Sequence, residues 1–222
     1  MKAIVVLSGG MDSSVTVAIA LEQGYDVALL HLNYGQRTEA KELSAFHSIA
    51  DHYNLDKRLV VDISYLKEIG GSSLVDSTMP IEADGVDKSV LPSTYVPFRN
   101  ANILCIATSW AEVIGASKIF IGAVEGDSSG YPDCTEIFYK KFNDLLDVAL
   151  SKECKVTVET PLIAMTKSEI VAKGLELHVP FELTWSCYQS ETAACGVCDS
   201  CRLRLKGFKE LGLKDPIEYT TH

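Results

Sequence analysis

The 222 residues contain no apolar run long enough to cross a bilayer, which takes about 20 consecutive apolar residues in a helix. At the amino end only five apolar residues separate Met1-Lys2 from Ser8-Gly9-Gly10. That is too short for a signal-peptide core and suits a first strand, so a cytoplasmic protein without membrane attachment is expected. Basic residues are scarce: 20 Lys and Arg stand against 30 Asp and Glu, a formal net charge of −10. Gripping a long stretch of nucleic acid requires a basic surface that displaces phosphate counterions, so a direct nucleic-acid substrate is disfavoured. The chain shows no internal repeat, no low-complexity tract and no attached glutaminase-like segment.

Apolar periodicity gives the rest of the organisation. Lys2 to Leu7 is a β-branched run ending in two glycines, and a helix over 13–22 follows, stopped by Gly24. Strands are expected over 26–32 and 57–63, with a helix over 38–53 between them that carries Leu43, Phe46, Ala50 and Tyr53 at helical spacing. A further helix over 99–114 reads as apolar on nearly every side and therefore buried. A strand over 118–123, a helix over 135–150, a short strand over 156–160 and a basic helix around 202–211 complete the pattern. Thr166 and Glu169 have capping-box spacing at the start of another helix. Alternating strands and helices imply right-handed crossovers and a parallel sheet. The stretch 64–97 breaks the alternation, being rich in Gly, Ser, Asp and Pro, and reads as either an active-site lid or disorder.

Ser8-Gly9-Gly10-Met11-Asp12-Ser13-Ser14 falls where strand one turns into helix one. Glycines admit a ligand close to the backbone, hydroxyls add donors, and the helix start aims free amides at the same point. Such a loop cradles pyrophosphate. It is neither the Gly-x4-Gly-Lys-Ser/Thr loop nor Gly-x-Gly-x-x-Gly. A plain glycine turn with a helix cap at Asp12 or Ser13 is the bland alternative. Among seven cysteines, Cys187, Cys195, Cys198 and Cys201 crowd together while Cys105, Cys134 and Cys154 are scattered. Four clustered thiols suit one closed, structural Zn²⁺ site. Cys201 would sit in the first turn of the last helix, with Arg202 and Arg204 offsetting the thiolate charge. An iron–sulfur cluster, or four buried or redox-active cysteines, are the alternatives. For Cys134 and Cys154 the small buried hydrophobe is the expected role.

The segment Ser8–Ser14 after a first strand resembles the signature of the N-type ATP pyrophosphatases, which cleave ATP between its α and β phosphates and pass AMP to a substrate oxygen. The resemblance implies a Rossmann-like five-stranded parallel sheet with helices on both faces, and nucleotide contacts along Leu7, Ser8, Gly9, Gly10, Met11, Asp12, Ser13, Ser14, Val15, Thr16 and Val17. Three further segments, 95–100, 122–134 and 160–167, together with Trp185-Ser186-Cys187-Tyr188, resemble the 7-cyano-7-deazaguanine synthase family of queuosine biosynthesis over essentially the whole chain. One departure is Phe98, where the family pattern has Gly, which puts a bulky ring in that wall.

The resemblance implies conversion of 7-carboxy-7-deazaguanine and ammonia to the nitrile, with ATP and Mg²⁺, in a homodimer. Residues 1–180 would form the ATP pyrophosphatase domain and 181–222 a small C-terminal zinc-binding element built on the four cysteines. Asp12, Ser13, Arg99 and Lys167 would carry the chemistry. Arg99, Asn100, Asp127, Tyr131, Pro132 and Asp133 would hold the substrate. Chemistry alone leaves Arg99 as a carboxylate clamp or a surface ion pair, and Asp127 and Asp133 as ring or Mg²⁺ contacts or Asx turns. Tyr131 could stack or simply pack, and Lys167 could meet phosphate or stay solvated beside an unfavourable helix dipole. A tRNA-thiolating ATP pyrophosphatase and a zinc-bearing regulatory nucleotide binder are the rival functions.

Overall fold

A computed structural model describes residues 1–81, 90–126 and 130–220. Five strands, β1 (Lys2–Val6), β2 (Asp26–Asn33), β3 (Arg58–Asp62), β4 (Lys118–Ile121) and β5 (Thr157–Glu159), form one sheet in the order β3-β2-β1-β4-β5. Every pairing is parallel, with Ile4 registered against Ala28 on one side and Ile119 on the other. The helices are α1 (Met11–Glu22), α2 (Glu39–His52), α3 (Tyr65–Ile69), α4 (Arg99–Ile114), α5 (Glu136–Ala149), α6 (Lys167–Glu176) and α7 (Asp199–Glu210).

Successive strand residues point to opposite faces, so each face gathers its own helices. Ala3, Val5, Leu7, Val27 and Leu29 pack with Val17 and Ala20 of α1 and Phe46, Ile49 and Ala50 of α2. Ile4, Val6, Leu30, Ile119 and Ile121 face Leu104, Ala107 and Ala111 of α4 and Tyr139, Phe142 and Leu146 of α5. With both faces covered, the inner strands read as continuous apolar runs rather than alternating ones. The strand order reverses between β1 and β4, and at such a switch the loops leaving the carboxyl ends diverge and open a crevice.

Two expectations need correcting, for α4 and for Arg204, and the open alternatives for 64–97 narrow at its flanks. Helix α4 is not buried all round: Cys105, Ser109, Glu112 and Val113 are exposed, because the helix covers one face of one sheet and presents only a stripe to it. The stretch 64–97 contains α3, and its flanks are packed rather than loose. Ser72 and Ser73 are fully buried, Ser73 N–H donates to the Ser93 carbonyl at 2.8 Å, and Arg37 donates to the carbonyls of Asp76 and Met79. Residues 82–89, the middle of that stretch, lie outside the described residues. Arg204, expected to balance thiolate charge, is committed elsewhere. Its guanidinium grips Asp215 through two bonds of 2.6 and 2.9 Å, both side chains 1% exposed, and also donates to Thr184, Ser186 and the Phe181 carbonyl.

The C-terminal segment shares the main core: Trp185, Cys187, Ala194, Cys198, Cys201 and Ile217 belong to the same buried cluster as Ile4 and Leu104. Among the described residues no helix is long and apolar enough to cross a membrane. Breaking a buried ion pair leaves an uncompensated charge, at a cost of about 3–5 kcal/mol. Asp215→Ala is therefore expected to lower the unfolding free energy in urea by about that amount. A loss under about 1 kcal/mol would show that Arg204 finds another counter-ion.

Candidate functional site

The turn from β1 to α1 is shaped by one residue without a side chain. Gly9 has φ +90°, and a Cβ there would stand 2.6 Å from the Glu42 carbonyl oxygen and 3.0 Å from the Ala45 Cβ. Only glycine lets α2 come this close. Gly10 then caps α1 with no side-chain bond, which leaves the first-turn amides facing outward. The serine hydroxyls mostly brace the turn. Ser13 Oγ accepts from Ser8 N–H and donates to the Gly10 carbonyl at 3.0 Å, and Ser14 Oγ donates to the same carbonyl at 2.8 Å.

This turn opens into a cavity of about 270 Å³. Of the expected nucleotide contacts, Leu7, Ser8, Gly10, Met11, Asp12 and Ser13 line it. Gly9 and Ser14 to Val17 do not, and Ser14 to Val17 are core residues of α1. Across the cavity mouth Lys167 Nζ meets Asp12 Oδ2 at 2.6 Å, its side chain 8% exposed. Lys167 opens α6 behind the Thr166–Glu169 capping box, so a buried cation stands at the positive end of a helix and Asp12 offsets it. Asp12 Oδ1 is buried without a hydrogen-bond partner, an acceptor left over for a ligand or a cation.

Arg99 opens α4 and lines the cavity, donating from Nη1 to Tyr34 Oη at 3.0 Å. Burial pushes the phenols of Tyr34 and Tyr188 up, so both remain neutral donors. Tyr131 lines the cavity and donates to Thr94 Oγ1 at 2.8 Å. Asn100 also lines it but is largely a clamp: its N–H donates to Asp133 Oδ2 at 3.0 Å and its amide to the Asp133 carbonyl at 2.9 Å. Asp133, 4% exposed and held above the usual carboxylate range by burial, thus anchors the start of α4. Neither Asp133 nor Pro132 lines the cavity, and Asp127 lies outside the described residues. Cys134 does line it, but burial pushes its thiol up to about 11, which makes it a poor nucleophile near neutral pH.

Phe98, expected to intrude on that wall, turns outward instead: it is 62% exposed and absent from the lining. Its φ of 56° is the left-handed conformation that glycine adopts freely, so the substitution burdens the backbone rather than the pocket.

Among the lining residues that sequence reasoning missed are Tyr34 and Glu42. Glu42 is a carboxylate in the cavity wall, accepting from Thr38 Oγ1 at 2.7 Å and Gln36 Nε2 at 3.1 Å, and burial raises it to about 7. The available signal was position: the polar cluster Tyr34-Gly35-Gln36-Arg37 directly follows β2, on the carboxyl side of the sheet where ligands bind. Trp185, Ser186 and Tyr188, with Ser200, Leu203 and Arg204 of α7, close the remaining wall.

Just behind that wall the thiols of Cys187, Cys195, Cys198 and Cys201 all lie within 4.8 Å of one another. Four sulfurs at tetrahedral vertices about 2.3 Å from a metal are spaced about 3.8 Å apart, so the cluster can hold one ion with little movement. Backbone N–H groups of Gln189 and Cys195 point at Cys187 Sγ and that of Cys198 at Cys195 Sγ, each at 3.4 Å, and such donors favour thiolates. Hydrogen bonds from Cys198 and Cys201 hold Cys187 well below the usual thiol range.

A parallel sheet ordered β3-β2-β1-β4-β5, with a glycine turn and an uncapped helix start at its switch point, defines a Rossmann-like α/β protein. More narrowly, the chain belongs to the family described as queuosine biosynthesis protein QueC, whose model matches residues 2–212. A relative from Chlorobium phaeobacteroides named 7-cyano-7-deazaguanine synthase is 59% identical over 99% of this chain and 97% of its own length. Another of that name, from Chlorobium chlorochromatii, is 55% identical over 100% of this chain and 97% of its own. Among solved structures, a 4-thiouridine synthetase–RNA complex with bound ATP shares the fold, with a TM-score of 0.52 and 20% identity over 82% of this chain and 42% of that one.

Elemental analysis of the purified chain is expected to find one metal ion per protomer, bound at the four thiols. Its removal by a strong chelator, or Cys198→Ser, should cost several kcal/mol of folding free energy, since metal binding at such sites contributes roughly 10 kcal/mol or more. A metal-free chain with unchanged melting temperature would overturn this.

Proposed function

We propose that this chain is an ATP-dependent ligase that converts 7-carboxy-7-deazaguanine and ammonia into 7-cyano-7-deazaguanine, releasing AMP and pyrophosphate. The observation that carries the reading is the mixed lining of one cavity. It combines an uncapped helix start and the buried Asp12–Lys167 pair with Arg99, Tyr34, Tyr131 and Tyr188. The family membership supports the same reaction.

The pyrophosphate of ATP would lie on the amides that open α1, beside the Ser8 hydroxyl, with Lys167 stabilising charge on the α-phosphate. The substrate carboxylate oxygen attacks that phosphorus, the bond to the bridging oxygen breaks, and pyrophosphate leaves. Ammonia then adds to the acyl carbon, AMP departs and an amide remains. A second ATP adenylates the amide oxygen, and loss of that oxygen with AMP and of the amide protons gives the nitrile. The protein contributes positioning and fixed positive groups where charge develops. Mg²⁺, bound with ATP, would neutralise phosphate charge, and the unpartnered Asp12 Oδ1 is the acceptor for it or its water. Zn²⁺ is the ion best matched to four thiolates with no open position, so its role would be structural.

The net charge of −10 supports small-molecule substrates without direct nucleic-acid contact, and a cytoplasmic setting supports four free thiols. A homodimer follows from the family resemblance. Val113 and Val148, 83% and 82% exposed on α4 and α5, offer apolar surface for it. Residues 1–180 would then bind ATP, with 181–222 as the metal-bearing element that completes the site.

Incubation with ATP, Mg²⁺, ammonium and the deazaguanine acid should yield AMP and the nitrile by way of the amide, followed by mass spectrometry. Lys167→Met should lower kcat by about 10²-fold or more in a folded chain, the usual loss when one transition-state charge partner is removed. AMP without nitrile would keep the ATP chemistry and discard the substrate. ATP bound with no AMP formed would favour a regulatory nucleotide binder, and sulfur transfer to tRNA would favour the thiolase.

A further inference from the structure

The reaction proposed above brings two purine-like rings to one cavity, the adenine of ATP and the deazaguanine of the acid. A site that must not take one in place of the other needs a group that tells their edges apart. Glu42 lines that cavity together with Tyr34 and Arg99, and nothing in the phosphate chemistry uses it. Its carboxylate is fixed by one donor on each oxygen: Thr38 Oγ1 to Oε1 at 2.7 Å and Gln36 Nε2 to Oε2 at 3.1 Å. Gln36 is itself oriented, since its Oε1 accepts the Tyr34 N–H at 2.9 Å. Each carboxylate oxygen has two acceptor positions, so one remains on each.

We propose that Glu42 is the specificity-determining residue for the deazaguanine ring, accepting hydrogen bonds from its N1–H and its 2-amino group. Two parallel, pre-oriented acceptors complement that pair of adjacent donors. Adenine presents an acceptor at N1 and no 2-amino group, so the ionised carboxylate faces a lone pair and repels it. Leaving a buried acceptor unpaired adds to the penalty. Glu42 thereby selects against adenine where it stands in the cavity wall, and leaves ATP to be held by its phosphates. The proposal rests on the function proposed above and names the group that reads its substrate.

The experiment measures kcat and KM for the acid, for its analogue lacking the 2-amino group, and for ATP, using the metal-replete wild-type chain and Glu42→Gln. Wild type is expected to prefer the 2-amino acid by about 10- to 100-fold in kcat/KM, the range spanned by one good bidentate pair. Glu42→Gln should raise KM for that acid by a comparable factor, bring the preference close to unity, and leave KM for ATP within about twofold. Three results overturn the proposal: a variant that loses kcat at unchanged KM, one that loses both acids equally, or one whose KM rises for ATP instead. Wild-type indifference to the 2-amino group overturns it as well, and that measurement does not depend on the variant folding. A wild-type chain that releases AMP with neither acid defeats the functional reading itself, and the Glu42 assignment falls with it.

Discussion

Everything around the cavity depends on how closely the backbone is allowed to approach Gly9. Its carbonyl accepts the Trp185 N–H at 2.8 Å, and the space its side chain would fill is taken by the backbone of Glu42. Three segments far apart in sequence therefore converge on one residue: the end of β1, the first turns of α2 and the stretch leading into the cysteines. A methyl group at Gly9 would push α2 outward, and with it the carboxylate that α2 carries into the cavity. The same contact aligns Trp185 with the phosphate turn, so the C-terminal segment serves as a wall of the site.

Much of the architecture was legible because it is local. Parallel strands covered on both faces announce themselves as continuous apolar runs, and β1, β2 and β4 do so. The Thr166–Glu169 box marked the start of α6 to the residue, and the spacing of the four cysteines marked a group of thiols that come together closely enough to hold one ion. What stayed hidden depends on long-range partners. Nothing in the composition of α7 says that Arg204 will find Asp215, and proximity to the cysteines suggested a different partner. The exposed face of α4 was invisible because Cys105 and Val113 are as apolar as residues that face the sheet. Asp133 looked like a loop acid free for a ligand, yet it is the anchor for Asn100, 33 positions away. Glu42 falls in an ordinary amphipathic helix, and its place in the wall depends on partners outside that helix's pattern, the backbone of Gly9 and the side chain of Gln36.

The Asp12–Lys167 pair shows why such a site can be both folded and reactive. A lysine this buried at a helix start is unfavourable alone, through desolvation and through the dipole. Asp12 compensates with one oxygen and keeps the other without a partner, so the pair is held in place but not saturated. A cation arriving with a phosphate chain would meet the unpartnered oxygen without breaking the contact to Lys167. The groups are therefore arranged in advance of the ligand, which is what electrostatic stabilisation of a transition state requires.

The position of the thiol cluster argues for a role beyond holding down a loose end. Cys187 lies between Ser186 and Tyr188 in sequence, and both of these line the cavity. Cys201 follows Ser200 and precedes Leu203 and Arg204 on the same helix, and these three line it as well. A metal joining Cys187 to Cys201 would fix the register between that loop and α7, and so two sides of one wall. The Arg204–Asp215 pair locks the same helix from its other flank, with Tyr219 donating to Asp215 at 2.6 Å to hold the final residues against it. Two independent constraints on one wall mean that neither alone sets its shape. A metal at the four thiols would contribute the larger folding free energy, with the ion pair as the smaller constraint on α7. The cluster thus shapes the cavity through the backbone, since the residues flanking its cysteines, and not the four cysteines themselves, line it.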